Sequence, residues 1–259
     1  MTEQTTIQLP FAGPYVALQS LGRVLSAAQQ QPTLEICVAQ LTQILQQQVC
    51  NAQGQPLRIT HQQGRLRAME FERQVYQHGR LPVRPGSIHD MLNLCMWCLW
   101  PATKAALNAL HVERGYQGKG AARSAAGNAG TLLDECGIVI VAAATEPAPL
   151  IKNHDWQTLF VQQRGHWHNK WHPWVLGHGL LEQMLSPFDG IMGKCLVIPE
   201  PTQATPDQVL ARAITGLRQP AQLLSLPVLG IPGWHRANGD PAYYRNTRYF
   251  RPQPKPVQS

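Results

Sequence analysis

The side chains best able to do chemistry in this chain are concentrated between His89 and His111. At helical spacing His89, Asn93 and Trp97 fall on one face, with Asp90 beside them, and Lys104, Asn108 and His111 share a face of the segment that follows. Both stripes run through apolar surroundings: Ile88, Met91, Leu92, Leu94 and Met96 around the first, Ala105, Ala106, Leu107, Ala109 and Leu110 around the second. Ionisable groups in such company either face water on an amphipathic helix or are buried and must be paired. If buried, they form a hydrogen-bond network that fixes helix packing or one half of an active site.

The other half would come from further along the chain. Asp134 and Glu135 immediately precede the most strand-like run, where a chain entering a sheet places general bases or metal ligands, or simply a solvated charged pair. His178 and Glu182 stand four apart, so a helix would present imidazole and carboxylate together, and Gly177 and Gly179 beside His178 would let another backbone or a ligand come close. A divalent cation such as zinc is therefore expected on His111, His178 and Glu182, with Asp134 or Glu135 nearby. In that scheme Lys104 would stabilise developing negative charge, and Asn93 and Asn108 would orient a substrate.

Other patterns point less clearly to chemistry. His166, His168 and His172 alternate with Trp167, Trp171 and Trp174, which reads as an aromatic loop before it reads as a metal site. Cys95 and Cys98 have redox spacing, but both fall inside an apolar helix, where a structural pair is expected. Neither a phosphate-binding glycine loop nor a serine nucleophile elbow is present.

The elements that must position these groups follow from periodicity and punctuation. Val16 to Ala28 and Leu34 to Val49 have helical spacing, so residues 1–50 form an N-terminal helical part. Leu57 to Thr60 is a candidate short strand, and Met69 to His78 fits either helix or strand. Ser87 is an N-cap for a helix to about Trp100, and Pro101 opens a second one ending near Gly115. Gly118 to Gly130 is a loop or a close-packed segment. Leu132 to Ala144 holds a buried strand, and helices are expected over Asn153 to Gln163, Pro173 to Leu185 and Thr205 to Thr215, with a strand at Lys194 to Ile198. From Pro220 the Pro- and Gly-rich chain is irregular, packed through Trp234, Tyr243, Tyr244 and Phe250, and residues 253–259 are a disordered tail. The class is α+β: one helix-rich domain over 1–259 around a small sheet.

Composition narrows the setting. With 44% hydrophobic residues the chain can bury a sizeable core, and with only 14% charged residues its surface leans on Gln, Asn, Ser and His. The net charge of +7 favours an anionic partner, either a small anionic substrate or nucleic acid, although no dense Lys/Arg run is present. The opening MTEQTTIQLP is not a secretory signal, no apolar run is long enough to span a bilayer, and the cysteines are expected as reduced thiols, so a cytoplasmic setting is expected.

The string IHDMLNLCMWCLWPATKAALNALH, followed by TLLDECG, WQTLF, GHGLLEQML and PVLGIPGWHRANGDPAYYRNTRYFRP, resembles a bacterial family known as domain of unknown function 3025. The resemblance spans about residues 70–252, and several unusual strings recur in order. It implies a common set of positions at His89, Asp90, Asn93, Lys104, Asn108, His111, Asp134, Glu135, His178 and Glu182, and no activity. The chain departs from the family pattern at Cys95, Cys98 and across GHWHNKWH, which weakens the redox and histidine-loop readings. The expectation is a hydrolase with a His/carboxylate or divalent-metal site, the alternative a non-catalytic binder of an anionic partner.

Overall fold

The computed structural model describes residues 13–21, 34–62, 64–116, 122–143 and 146–253. A 3-10 turn at Gly13–Leu18 precedes α1 (Leu34–Gln48), β1 (Arg58–His61), α2 (Ala68–His78), β2 (Arg80–Val83), α3 (Ile88–Leu99), α4 (Pro101–Arg114) and α5 (Ala125–Cys136). Then come β3 (Gly137–Ala142), α6 (Pro147–Lys152), β4 (Trp171–Val175), α7 (His178–Met184), β5 (Met192–Pro199), α8 (Pro206–Thr215) and β6 (Leu224–Pro227). The fold is α+β: helices around a four-stranded sheet of order β4-β3-β5-β6, with β1 and β2 as a separate parallel pair. Most of the helix expected over Val16–Ala28 and the tail beyond Gln253 lie outside the described residues.

β3, GIVIVA, is buried along its whole length because it is central, parallel to β5 and antiparallel to β4. The helix expected from Pro173 is β4 instead, and helix begins only at His178. Burial alternates along β4, with Trp171, Pro173 and Val175 inward. As an edge strand it tolerates a proline, which cannot donate to the ladder. The helix expected over Asn153–Gln163 also differs: α6 starts earlier, at Pro147, and ends at Lys152, and His154 takes a left-handed backbone (φ 55°) before a short π-turn at Thr158–Gln162.

Two helix starts fix the geometry of the site region. Pro101 opens α4, whose first N–H groups are capped across the chain by Asp207 of α8: Ala102 and Thr103 donate to its carboxylate at 2.9 and 2.8 Å. Ser124 caps α5 by accepting from Gly127 at 2.9 Å. Of the Gly/Ala-rich stretch, the part from Ala125 to Gly130 proves to be the start of a close-packed helix, and residues 118–121 lie outside the described residues. A Cβ on Gly127 would lie 2.1 Å from Gly115 O, and one on Gly130 would lie 3.1 Å from the His111 ring. The irregular C-terminal part is nonetheless well packed: Trp234, Tyr244, Tyr249 and Phe250 are buried, and Tyr249 donates to Ile191 O at 2.8 Å.

Candidate functional site

Three helices meet at the site: α3 brings His89 in its first turn, α5 brings Asp134 and Glu135 in its last, and α7 begins with His178. Asp134 and Glu135 were expected at a turn before the strand. They are helical, and α5 passes into β3 without a loop. Gly177 and Gly179 allow α7 to lie against that helix end. A Cβ on Gly177 would be 2.5 Å from Glu135 O, and one on Gly179 would be 2.5 Å from Glu135 Oε2.

Glu182, one turn after His178, accepts a hydrogen bond from Nδ1 of His89 at 2.7 Å. An ionised carboxylate can only accept, so Nδ1 carries the proton and His89 Nε2 offers a lone pair. That nitrogen faces His178 Nε2 at 3.0 Å, the two rings meeting edge to face. Glu135 Oε1 is 3.6 Å from the same His178 nitrogen. Donor atoms of His89, Glu135 and His178 lie within 4.8 Å of one another. These three, rather than the expected His111, His178 and Glu182, have donor atoms close together. Glu182 is turned to the far side of the His89 ring, while His111 stands toward Glu72.

Burial drives His178 down to about 3, against the pull of the Asp134 carboxylate, so its ring is neutral at physiological pH. Burial and neighbouring Asp134 push Glu135 up. For Asp134 itself burial acts upward, but the Lys104 ammonium and its hydrogen bond outweigh that and hold the carboxyl below its ordinary range. Lys104 is buried, donates to Asp134 and lies 5.7 Å from the Trp97 ring centre, so the solvated reading of this stripe is excluded.

Sequence reasoning missed Glu72. It projects from α2, is raised by burial against the influence of His111, and accepts from Asn108 Nδ2 at 2.7 Å. Its only signal was a carboxylate at helical spacing from the apolar face of AMEFERQVYQH, a helix with other charges.

These groups line a cavity of about 400 Å³, walled by Glu72, His89, Asn93, His111, Asp134, Glu135 and His178. Asn93 Oδ1 is buried there with no hydrogen-bond partner among the described residues. Lys104 and Asn108 lie behind the wall, bonded to Asp134 and Glu72, and Glu182 borders an outer depression with Arg84 and Ser87. Asp90 reaches the cavity edge, but its carboxylate is taken up by Arg84, which donates from Nη2 at 2.6 Å, Nε at 3.0 Å and its backbone N–H at 2.7 Å. Asp90 therefore fastens the start of α3.

The other sequence candidates stay apart from the site. His168 is bonded to Pro232 O at 2.9 Å and His166 packs on Trp171. Burial pushes the thiols of Cys95 and Cys98 up, Cys98 to about 12, which opposes thiolate chemistry.

The fold and the site thus define an α+β protein with a His–carboxylate cluster in a cavity between helices. The chain belongs to the family described as protein of unknown function (DUF3025), whose model matches residues 57–254. Neither the curated proteins nor the solved structures hold a match to it. Among the described residues, no helix is long and apolar enough to cross a membrane.

Proposed function

We propose that this protein is a hydrolase whose site holds a divalent cation, zinc first, on His89, His178 and Glu135. The observation that carries the reading is the convergence of two imidazole Nε2 atoms and a carboxylate at the wall of a cavity. Ligands on a tetrahedral zinc with bonds of about 2.0–2.1 Å stand about 3.3 Å apart. Two of the three separations here, 3.0 and 3.6 Å, bracket that spacing, and all three lie within 4.8 Å. Glu182 on His89 Nδ1 is the outer carboxylate that usually orients a ligating histidine. A cation would also reverse the cost of ionising Glu135, and a neutral His178 can ligate through Nε2 once its proton is carried on Nδ1.

A divalent cation in such a place polarises a substrate oxygen and makes water a nucleophile near neutral pH. The surrounding residues divide the remaining work. Asp134, kept ionised by Lys104, supplies a fixed negative charge beside His178. Glu72, whose burial favours the protonated form, suits a proton donor to a leaving group. Asn93 Oδ1 is an acceptor for substrate. Lys104 acts through Asp134 and does not reach substrate. The six cysteines are all thiols, which fits a cytoplasmic setting.

Metal analysis of the purified protein tests the reading, alongside His89→Ala and His178→Ala variants whose folding is checked by circular dichroism. Near one zinc per chain, lost in both variants together with hydrolysis of ester substrates, is expected. Stoichiometry far below one that neither substitution changes would overturn it. The same donor trio serves iron(II) oxygenases, so bound iron with dioxygen consumption would replace hydrolysis by oxidation.

A further inference from the structure

A second, wider depression of about 1290 Å³ opens beside the site cavity, and its charge is predominantly positive. Arg65, Arg67, Arg73, Arg80 and Arg123 line it, against the single carboxylate of Glu70. All five arginines are exposed. Among the described residues, the ion pairs involve none of them. Elsewhere Arg84, Arg114, Arg164 and Arg218 each donate to a carboxylate or carbonyl. The depression shares Arg65, Leu66, Ala68 and Arg123 with the site cavity, so the two adjoin. Tyr116 also lines it, half-buried.

We propose that this groove is the binding track for a single strand of nucleic acid, and that a phosphodiester of that strand is what the neighbouring site acts on. The second half rests on the hydrolase reading; the first does not. Guanidinium forks match phosphate oxygens in pairs, and a run of unpaired arginines beside an aromatic ring is how a protein tracks a strand without reading its sequence. The site cavity of about 400 Å³ has the volume for one nucleotide and not for a duplex. Hydrolysis there needs only water. Its oxygen bonds to phosphorus and the bond from phosphorus to the leaving ester oxygen breaks. One proton of the water passes to a carboxylate of the cavity wall, and the departing oxygen takes a proton from Glu72.

The test is fluorescence anisotropy with labelled DNA and RNA single strands of about 12 nucleotides, titrated between about 50 and 200 mM salt. Neutralising five phosphates predicts a log–log salt slope of about −3.5. Arg67→Ala/Arg73→Ala/Arg80→Ala together should flatten that slope by about 2, and Tyr116→Ala should weaken binding about tenfold. These side chains are exposed or half-buried, and thermal melts confirm that the variants fold. His178→Ala should bind strands as the wild type does and fail to cleave them. No binding at about 50 mM salt, or binding indifferent to the arginine variant, overturns the proposal. So does heparin binding as tightly as a strand with no effect of Tyr116→Ala, which would mark a general polyanion surface. Binding without strand cleavage by zinc-loaded wild type overturns the phosphodiester assignment alone, because the hydrolase reading is judged by metal content and ester cleavage.

Discussion

Glu182 and His178 hold the His89 ring from its two nitrogens: the carboxylate accepts the hydrogen bond from Nδ1 at 2.7 Å, and His178 Nε2 stands 3.0 Å from Nε2. Both come from one turn of α7, so a short helix sets the tautomer, orientation and spacing of a residue on α3. Removing the charge at Glu182 should therefore weaken metal binding without removing a ligand. Glu182→Gln is expected to lower zinc affinity about 10- to 100-fold, read by competition with a chromophoric chelator. An unchanged affinity would mean that His89 does not ligate.

Lys104 and Asp134 form a largely buried pair, with side-chain exposures of 3% and 18%. Removing the cation leaves a carboxylate that burial alone would push up. Lys104→Met should destabilise the fold by about 3–5 kcal/mol in urea unfolding, whereas Lys104→Met/Asp134→Leu should recover much of the loss. Equal destabilisation in the single and double variants would show that Lys104 acts through packing on Trp97 and not through Asp134.

The polar stripes were legible in the sequence because their neighbours are apolar. Ala, Leu and Met around His89, Lys104 and His111 left a solvated face and a buried network both open, and the structure buries Lys104, Asn108 and His111. Partners were less legible, since spacing along one helix does not show what faces it. His111 was grouped with His178, yet it stands near Glu72, whose charged neighbours Glu70 and Arg73 made its helix look ordinary. The β3 strand was plain from GIVIVA, but the helix before it was hidden by Gly127 and Gly130, which lower helix propensity and are needed for close packing on α4. At Pro173 the proline read as a helix start, while the alternation of buried residues that marks an edge strand runs for only five residues.

Gly179 lies within α7, where alanine would ordinarily stabilise a helix by about 1 kcal/mol. Here the sign should reverse. The added Cβ would stand 2.5 Å from Glu135 Oε2, and the carboxylate would have to move away from His178. Gly179→Ala is expected to retain secondary structure by circular dichroism and lose zinc affinity. A variant that is more stable and binds zinc as tightly as the wild type would remove Glu135 from the ligand set.

Acid should expose the burial of His178. Its folded value of about 3 lies below the ordinary 6.5, so between those limits the unfolded chain binds a proton that the native protein refuses. Stability therefore falls as pH drops through this window and is unaffected by this group above it. Asp134, held low by Lys104, acts in the same direction but nearer the acid end. Burial of Glu72 and Glu135 acts in the opposite sense, its cost easing as these carboxyls protonate. Comparison with His178→Gln isolates the imidazole. In chelator-treated protein, the wild type should lose about 2 kcal/mol relative to that variant between pH 7 and pH 5, measured from urea midpoints. Parallel profiles would mean that the folded ring takes up a proton as readily as the unfolded chain, so that burial does not hold it neutral through this window.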